Sequence, residues 1–152
     1  MVYVRPNDPI DELEAFARDT CLNNKRLKFY EYSGLTMKEG LQKFIDETGV
    51  TGVLVGLRGT DPHGKDVKAL IPTDNGWPSF LRIHPILDWD YSDVWAYIRR
   101  NNIPYCHLYD QGFTSLGEAK NTRRNPALKR PDGSYKPAFG LIDPSLERDS
   151  RM

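Results

Sequence analysis

A chain of 152 residues with 39% hydrophobic and 28% charged side chains has the composition of a globular protein and suffices for one domain. Its 21 basic and 21 acidic residues balance, which argues against binding nucleic acid or a membrane surface through bulk charge. Two cysteines without a CxxC pair exclude a disulfide framework and indicate a cytoplasmic protein, and no apolar run is long enough to cross a membrane.

The first segment predicts a strand followed by an amphipathic helix. Val2–Val4 is β-prone, and Asp8 is expected to cap the helix with Pro9 at its first position, where a missing N–H is harmless. Apolar residues then recur at helical spacing: Ile10, Leu13, Phe16, Ala17 and Cys21. We therefore expect a βα unit at the start of the chain.

A second βα unit follows. Residues 27–32 read LKFYEY and predict a strand, and Thr36 and Glu39 have the spacing of a capping box. The helix that they start is expected to end at Gly49. The residues expected on its buried face are Met37, Leu41, Phe44 and Ile45.

The next strand, GVLVGL, ends in polar residues. Arg58, Thr60 and Asp61 follow it directly on a turn that contains Gly59 and Pro62. In open α/β sheets ligands bind just beyond the carboxyl ends of the strands, so these side chains are candidates for a ligand site. An ordinary polar turn explains the same pattern equally well.

The rest of the chain contains fewer regular elements. Residues 80–83 predict a strand, Asp90 is expected to cap a helix that ends before Pro104, and only turns and short helical pieces are expected from residue 110 onward. Strands that alternate with helices indicate an α/β fold, a Rossmann-like parallel sheet with flanking helices and a loop-rich C-terminal half. We expect residues 1–152 to form a single domain.

All three tryptophans lie within nineteen residues, and most of this aromatic cluster is expected to be core. Trp77 differs, because Gly76 and Pro78 place it on a loop where it could stack on a planar ligand. Asp74 and Arg82 would supply polar contacts around such a ring. The segment therefore predicts a binding site for a flat ligand.

Two further patterns give weaker signals. The three histidines, His63, His84 and His107, have no metal-ligand spacing, so each is expected in a loop or at the surface, and no protein-built metal site is predicted. Near the C-terminus, Arg148 and Arg151 would point the same way on a helical turn. A frayed terminus is the simpler interpretation of that segment.

Four segments in this order, GLRGTDP, PTDNGWPSFLRIHPILDWDYSDVW, PYCHLYDQGFTSLGEAKNTRRNPAL and ERDSR, resemble eukaryotic FAD synthases. These are FMN adenylyltransferases with a phosphoadenosine-phosphosulfate-reductase-like domain of the adenine nucleotide α-hydrolase-like fold. The resemblance implies that the FMN phosphate attacks the α-phosphorus of ATP to give FAD and pyrophosphate. It also implies Mg²⁺, bound with the nucleotide phosphates.

The resemblance also implies roles for individual residues. Those implied to act in catalysis at the phosphates are Asp61, Arg148 and Arg151. Those implied to bind FMN or the nucleotide are Arg58, Thr60, Asp74, Trp77 and Asn121, with Asp74 and Trp77 at the isoalloxazine ring. Arg82 joins this set because of its expected position beside the same ring. The segment from Asn121 to Asn125 is expected to have a structural role in the pocket.

The chain departs from the family pattern in one important respect. The family's SGGKDS-like nucleotide loop would precede everything matched here, and this sequence contains no such loop. We therefore expect the carboxyl portion of a longer enzyme, with the missing N-terminal segment as its partner. The alternatives are a non-catalytic flavin-binding module and a sulfonucleotide reductase-like protein, and the latter requires a cysteine after Cys106 that this sequence lacks.

Overall fold

The computed structural model describes residues 1–74 and 76–152, which divide into two compact units. Unit 1 consists of Met1–Arg5 and Phe29–Asp90, and unit 2 of Pro6–Lys28 and Tyr91–Met152. In the described part of the chain, every helix is too short or too polar to cross a membrane. The assignment of residues 1–152 to a single domain stays a prediction.

The strands of unit 1 form two small sheets. Strands β1 (Val2–Val4) and β2 (Tyr30–Tyr32) pair in parallel. Strands β3 (Gly52–Leu54), β4 (Leu70–Pro72) and β5 (Leu81–Ile83) form the second sheet in the order β3-β5-β4, with β5 parallel to β3 and antiparallel to β4. The helix that connects β2 to β3 completes the predicted mixed α/β fold with parallel strands and flanking helices.

Strand β4 was not predicted from the sequence. It contains Pro72, which cannot donate to a sheet ladder and therefore argues against a central strand. In the structure β4 lies at the edge of its sheet, where a proline is tolerated. The GVLVGL segment is also shorter than expected as a strand, because its ladder ends at Leu54.

Helix α2 of unit 1 (Met37–Thr48) begins and ends as the sequence predicts. Thr36 Oγ1 accepts a hydrogen bond from Glu39 N (3.3 Å), and the Glu39 carboxylate accepts one from Thr36 N (2.8 Å). Because hydrogen bonds from Thr36 stabilise the charged carboxylate of Glu39, they lower the pKa of this side chain. At the other end Gly49 takes φ 66°, a left-handed conformation that suits glycine.

Unit 2 contains helix α1 (Asp11–Leu22) and, later in the chain, helix α3 (Tyr91–Arg100). The prediction that Asp8 caps α1 is wrong: the N-cap is Ile10, and the Asp8 carboxylate instead accepts a hydrogen bond from Lys120 N (2.7 Å). A backbone donor from a segment far away in sequence has replaced the local one. That competition cannot be seen in a local pattern.

The remainder of unit 2 is loop-rich, as expected, and is organised around an aromatic core. The buried residues of this core are Tyr91, Trp95, Leu128, Ala138 and Leu141. Trp95 is only 6% exposed and makes edge-to-face contacts with the rings of Tyr105 and Tyr109. Short 3₁₀ helices, including Pro126–Leu128 and Pro144–Ser150, supply the rest of the unit.

Candidate functional site

Unit 1 contains a mostly apolar pocket of about 300 Å³. Helix α2, strands β3 and β5 and the segment after β4 line it. The apolar walls come from Met37, Leu41, Val53, Val55 and Phe80, and the polar lining from Thr73, Asp74 and Arg82, with Trp77 alongside. The structure therefore brings together Asp74, Trp77 and Arg82, which the sequence predicts to surround a planar ligand.

Arg82 and Asp74, two polar residues of this pocket, form an ion pair that leaves one hydrogen-bond donor of the arginine unused. Arg82 Nη2 lies 3.4 Å from Asp74 Oδ2 and donates to Pro72 O (3.1 Å). Its Nε is buried and has no hydrogen-bond partner among the described residues. A buried N–H without a partner costs free energy, so an acceptor supplied by a ligand would be stabilised at this position.

A tight loop holds Trp77 at the pocket. Thr73 N donates to Phe80 O (3.0 Å), and Trp77 N donates to Asp74 O (3.1 Å). Gly76 takes φ 86°, which a residue with a side chain adopts only with strain. Asn75 lies outside the described residues. Trp77 is 46% exposed, which confirms that it differs from the buried Trp95.

The turn after β3 is closed by an ion pair between two predicted site residues. Asp61 accepts hydrogen bonds from Arg58 N (2.9 Å) and Arg58 Nη2 (2.6 Å), and the two side chains are 10% and 16% exposed. A Cβ at Gly64 would collide with the Arg58 carbonyl, so the chain behind the turn needs a glycine. Thr60 is exposed within this turn.

The C-terminal segment of unit 2 is docked, and the interpretation of a frayed end is wrong. Arg123 N donates to Ser150 O (2.8 Å), and Met152 N donates to Asn121 O (3.0 Å). Ser150 is buried and exchanges hydrogen bonds with the backbone of Ser115. The predicted residues Asn121 and Arg151 therefore lie on neighbouring, paired segments, whereas Arg148 is exposed.

Asn125 has a structural role within unit 2, while the role in the pocket that the resemblance implies for its segment stays a prediction. Its side chain is fully buried, donates to Thr114 Oγ1 (2.8 Å) and Leu146 O (2.7 Å), and accepts from Ala127 N (2.9 Å). These bonds connect three separate segments of unit 2. Each of them satisfies a polar group that would otherwise be buried alone.

Several expectations about individual residues need correction. Met37, expected to be buried, is 54% exposed, because its helix face borders the open pocket and not a closed core. His84 lies in a loop directly after β5, as expected, but it is buried there, with its Nδ1 2.9 Å from Lys68 O. No cluster of three or more His, Cys, Asp or Glu side chains suited to a metal ion occurs among residues 1–74 and 76–152.

The walls of the pocket were missed by sequence reasoning. Val53 and Val55 have the alternation of one strand face, which is also typical of core residues. Nothing in the local pattern indicates that α2 leaves a gap above this face. The buried Arg82 Nε is likewise a property of the folded arrangement alone.

Comparisons with known proteins agree with one another. The model of the phosphoadenosine phosphosulfate reductase domain family matches residues 8–124. A probable FAD synthase of Schizosaccharomyces pombe is 47% identical over 151 residues, which are 99% of this chain and 56% of that relative. The chain thus spans little more than half the length of this relative.

Solved structures show the same similarity. The Candida glabrata FMN adenylyltransferase in complex with FMN and the ATP analog AMPCPP matches with a TM-score of 0.92 and 28% identity, over 99% of this chain and 68% of that chain. A phosphoadenylyl-sulfate reductase from Candida auris matches with a TM-score of 0.61 and 19% identity, over 80% of this chain and 70% of that chain, which concerns the fold alone. The fold is thus adenine nucleotide α-hydrolase-like, and the chain belongs to the phosphoadenosine phosphosulfate reductase domain family.

Proposed function

We propose that this chain is the flavin-binding part of an FAD synthase, which transfers the adenylyl group of ATP to FMN and releases pyrophosphate. The observation that carries the proposal is the pocket of unit 1, with its apolar walls and its Asp74–Arg82 pair. The FAD synthase similar to this chain and the adenylyltransferase structure with bound FMN support it.

The size and lining of the pocket suit an isoalloxazine ring. Its volume of about 300 Å³ is at the lower end of ordinary ligand pockets, which suits one ring system better than a whole dinucleotide. Apolar side chains form its walls, and the indole of Trp77 provides a flat surface for stacking. A planar, largely apolar ring is the ligand that such a surface favours.

The polar groups match the one polar edge of that ring. The pyrimidine edge of a flavin presents an N–H donor between two carbonyl acceptors. The Asp74 carboxylate can accept from the donor, while Arg82 Nε and its neighbouring nitrogens can donate to an acceptor. Binding flavin would then give the buried Arg82 Nε the partner that it lacks among the described residues.

At the turn after β3, we propose that Arg58 and Thr60 contact nucleotide phosphates. Asp61 accepts both the backbone N–H and the guanidinium of Arg58, so it acts first as a positioning residue for that arginine. A catalytic role for Asp61 itself stays a prediction. Such chemistry depends mainly on positioning and charge neutralisation, which a fixed guanidinium supplies.

In unit 2, we propose that Arg148 and Arg151 contact phosphates and that Asn121 holds the tail that carries them. Met152 N donates to Asn121 O (3.0 Å), which supports the second role. The Mg²⁺ ion is proposed to arrive as MgATP, with the nucleotide phosphates as its ligands. We propose the cytoplasm as the compartment, because Cys21 and Cys106 are both free thiols.

Within unit 1, strand edges and a sheet face support a further polypeptide partner. Among the described residues, β1 pairs with β2 and β3 pairs with β5, so each leaves one edge without a ladder. Leu54, Leu70 and Leu81 on the second sheet are exposed. We propose that these surfaces accept the additional segment that the longer relatives carry, which the family resemblance implies to include the nucleotide loop.

The alternative function is a flavin-binding module without turnover, which the missing nucleotide loop favours. A sulfonucleotide reductase is a weaker alternative, because that chemistry needs an accessible thiolate. Cys106 is buried, and burial raises the pKa of its thiol. Its Sγ lies 3.9 Å from Glu12 O, within the interior of unit 2.

Flavin titration of this chain tests the proposal. Trp77→Ala and Asp74→Ala should each weaken FMN binding by about tenfold or more, because stacking and a hydrogen bond to the ring are lost. Tyr97→Ala removes an exposed aromatic ring of α3 and is the matched control. Flavin fluorescence quenching measures the affinities.

Two outcomes separate the alternatives. Unchanged FMN affinity in both pocket variants would contradict the flavin site. Flavin binding without FAD formation from FMN and MgATP, even after the N-terminal segment of an FAD synthase is fused to the chain, would favour the non-catalytic module.

A further inference from the structure

The guanidinium of Arg151 lies directly on the backbone of Gly117. A Cβ built at Gly117 would collide with Nη1, Nη2 and Cζ of Arg151, so the planar group covers the face of the glycine where a side chain would stand. Gly117 is not among the glycines with a positive φ, so a left-handed backbone does not account for the glycine. Only this close approach requires a glycine at the position.

Both sides of this contact are held by the backbone. Gly117 N donates to Thr122 Oγ1 (3.1 Å), and Thr122 Oγ1 donates to Glu118 O (2.8 Å). Thr122 also forms an antiparallel bridge with Arg151, whose N donates to Arg148 O (2.8 Å). The loop that carries the glycine and the tail that carries the arginine are therefore tied together.

The guanidinium itself is not neutralised. Among residues 1–74 and 76–152, Arg151 takes part in no side-chain hydrogen bond or ion pair, whereas neighbouring Arg123 donates from Nε to Asp149 O (3.1 Å). Arg151 is half-buried, so its orientation is restricted while its donors stay available. An arginine with a fixed plane and available donors suits bidentate contact with a phosphate.

We propose that Gly117 is a positioning residue that seats the Arg151 guanidinium for contact with the phosphates of the nucleotide. This role adds to the proposed function a residue that has no charge and belongs to none of the predicted site residues. It rests on the proposed function for the identity of the anion. A methyl group at residue 117 would push the guanidinium aside. Because the displaced atoms are the end of a flexible side chain, the fold would stay intact.

The position of the Arg151 guanidinium on Gly117 can be tested without any ligand. The measurement is the Nε–H signal of Arg151 in the ¹H–¹⁵N spectrum of this chain, which is assigned because it disappears in Arg151→Lys. In the wild type we expect a resolved signal, distinct from that of exposed Arg148. Gly117→Ala should move the Arg151 signal to the region of exposed arginines and leave the backbone spectrum and melting temperature unchanged. Gly140→Ala, whose Cβ would meet Lys136 at an ordinary 3.4 Å, is the matched control and should change neither.

A titration with inorganic pyrophosphate tests the consequence. Gly117→Ala should weaken binding by about tenfold, and should have little further effect in an Arg151→Ala background, because the glycine acts through the arginine. An Arg151 signal that is unchanged by Gly117→Ala, or an equal loss of affinity with and without Arg151, would overturn the proposal. Absence of pyrophosphate binding in the wild type would overturn the phosphate role of the tail, while the Nε–H signal would still decide whether the seat exists.

Discussion

Arg58 and Arg151 are both predicted phosphate contacts, yet the structure holds them in opposite ways. Arg58 is buried in an ion pair with Asp61, and a glycine at residue 64 packs against its backbone carbonyl. Arg151 has no ionic partner among the described residues, and a glycine at residue 117 packs against its side chain.

The difference indicates that two arginines with the same predicted ligand can contribute very differently to the stability of the fold. Removing a paired, buried guanidinium lowers stability, because the carboxylate that it faces loses its counter-charge. An unpaired guanidinium on a docked segment contributes little to stability and keeps its donors for an anion. The two regions should therefore respond differently to the same substitutions.

The largest effect is expected for Arg58→Ala, which should lower the free energy of unfolding by about 3 kcal/mol, because the part-buried Asp61 carboxylate loses its counter-charge and keeps only its other hydrogen bonds, such as the one from the backbone N–H of residue 58. Urea denaturation measures the loss. Arg151→Ala is the comparison and should change stability by less than about 0.5 kcal/mol. If the two variants are equally stable, the Arg58–Asp61 pair does not hold the turn, and the comparison fails.

Substitution of the two glycines should also affect stability differently, with a larger loss at Gly64 than at Gly117. Gly64→Ala should cost about 2 kcal/mol, because its Cβ would meet the Arg58 backbone carbonyl, which cannot rotate away. Gly56→Ala, where a Cβ would have ordinary space beside Ile86, is the control in the same unit. A thermal melt of Gly64→Ala indistinguishable from that of Gly56→Ala would show that the turn tolerates a side chain.

The smallest effect on stability, and a clear effect on binding, is expected for the tail. Removing either Arg148 or Arg151 should weaken MgATP binding by about ten- to a hundredfold with unchanged melting, since each charge-assisted hydrogen bond contributes roughly 1.5–3 kcal/mol. Lysine replacements should rescue only partly, because they keep the charge but lose the planar fork. Isothermal titration calorimetry measures the affinities.

Arg130→Ala is the control for that series, because it removes the same charge from an exposed position of unit 2. Equal losses of MgATP affinity in Arg130→Ala and Arg151→Ala would show that bulk charge accounts for the effect. Wild-type affinity in the double variant of Arg148 and Arg151 would return the tail to a structural role.

Local patterns predicted those elements whose causes are local. The capping box of Thr36 and Glu39 and the left-handed Gly49 need only neighbours within one or two helical turns, and both are found. Trp77 was separated from the core by its flanking Gly76 and Pro78, again a local signal. The cap at Asp8 failed because its partner, Lys120 N, is more than a hundred residues away in sequence.

By itself, the sequence determined the α/β class, the order of most elements and three residues at the pocket, Asp74, Trp77 and Arg82, because periodicity, capping and turn chemistry act over short distances. Only the tertiary structure decided which charges are paired, since the environment of a side chain depends on segments that are distant in the chain. It alone separates the paired Arg58 from the unpaired Arg151, leaves Arg82 Nε buried without a partner among the described residues, and makes Gly117 the seat of a guanidinium. In each case the physical reason is the same: burial and contact are properties of the packed molecule and not of the local sequence.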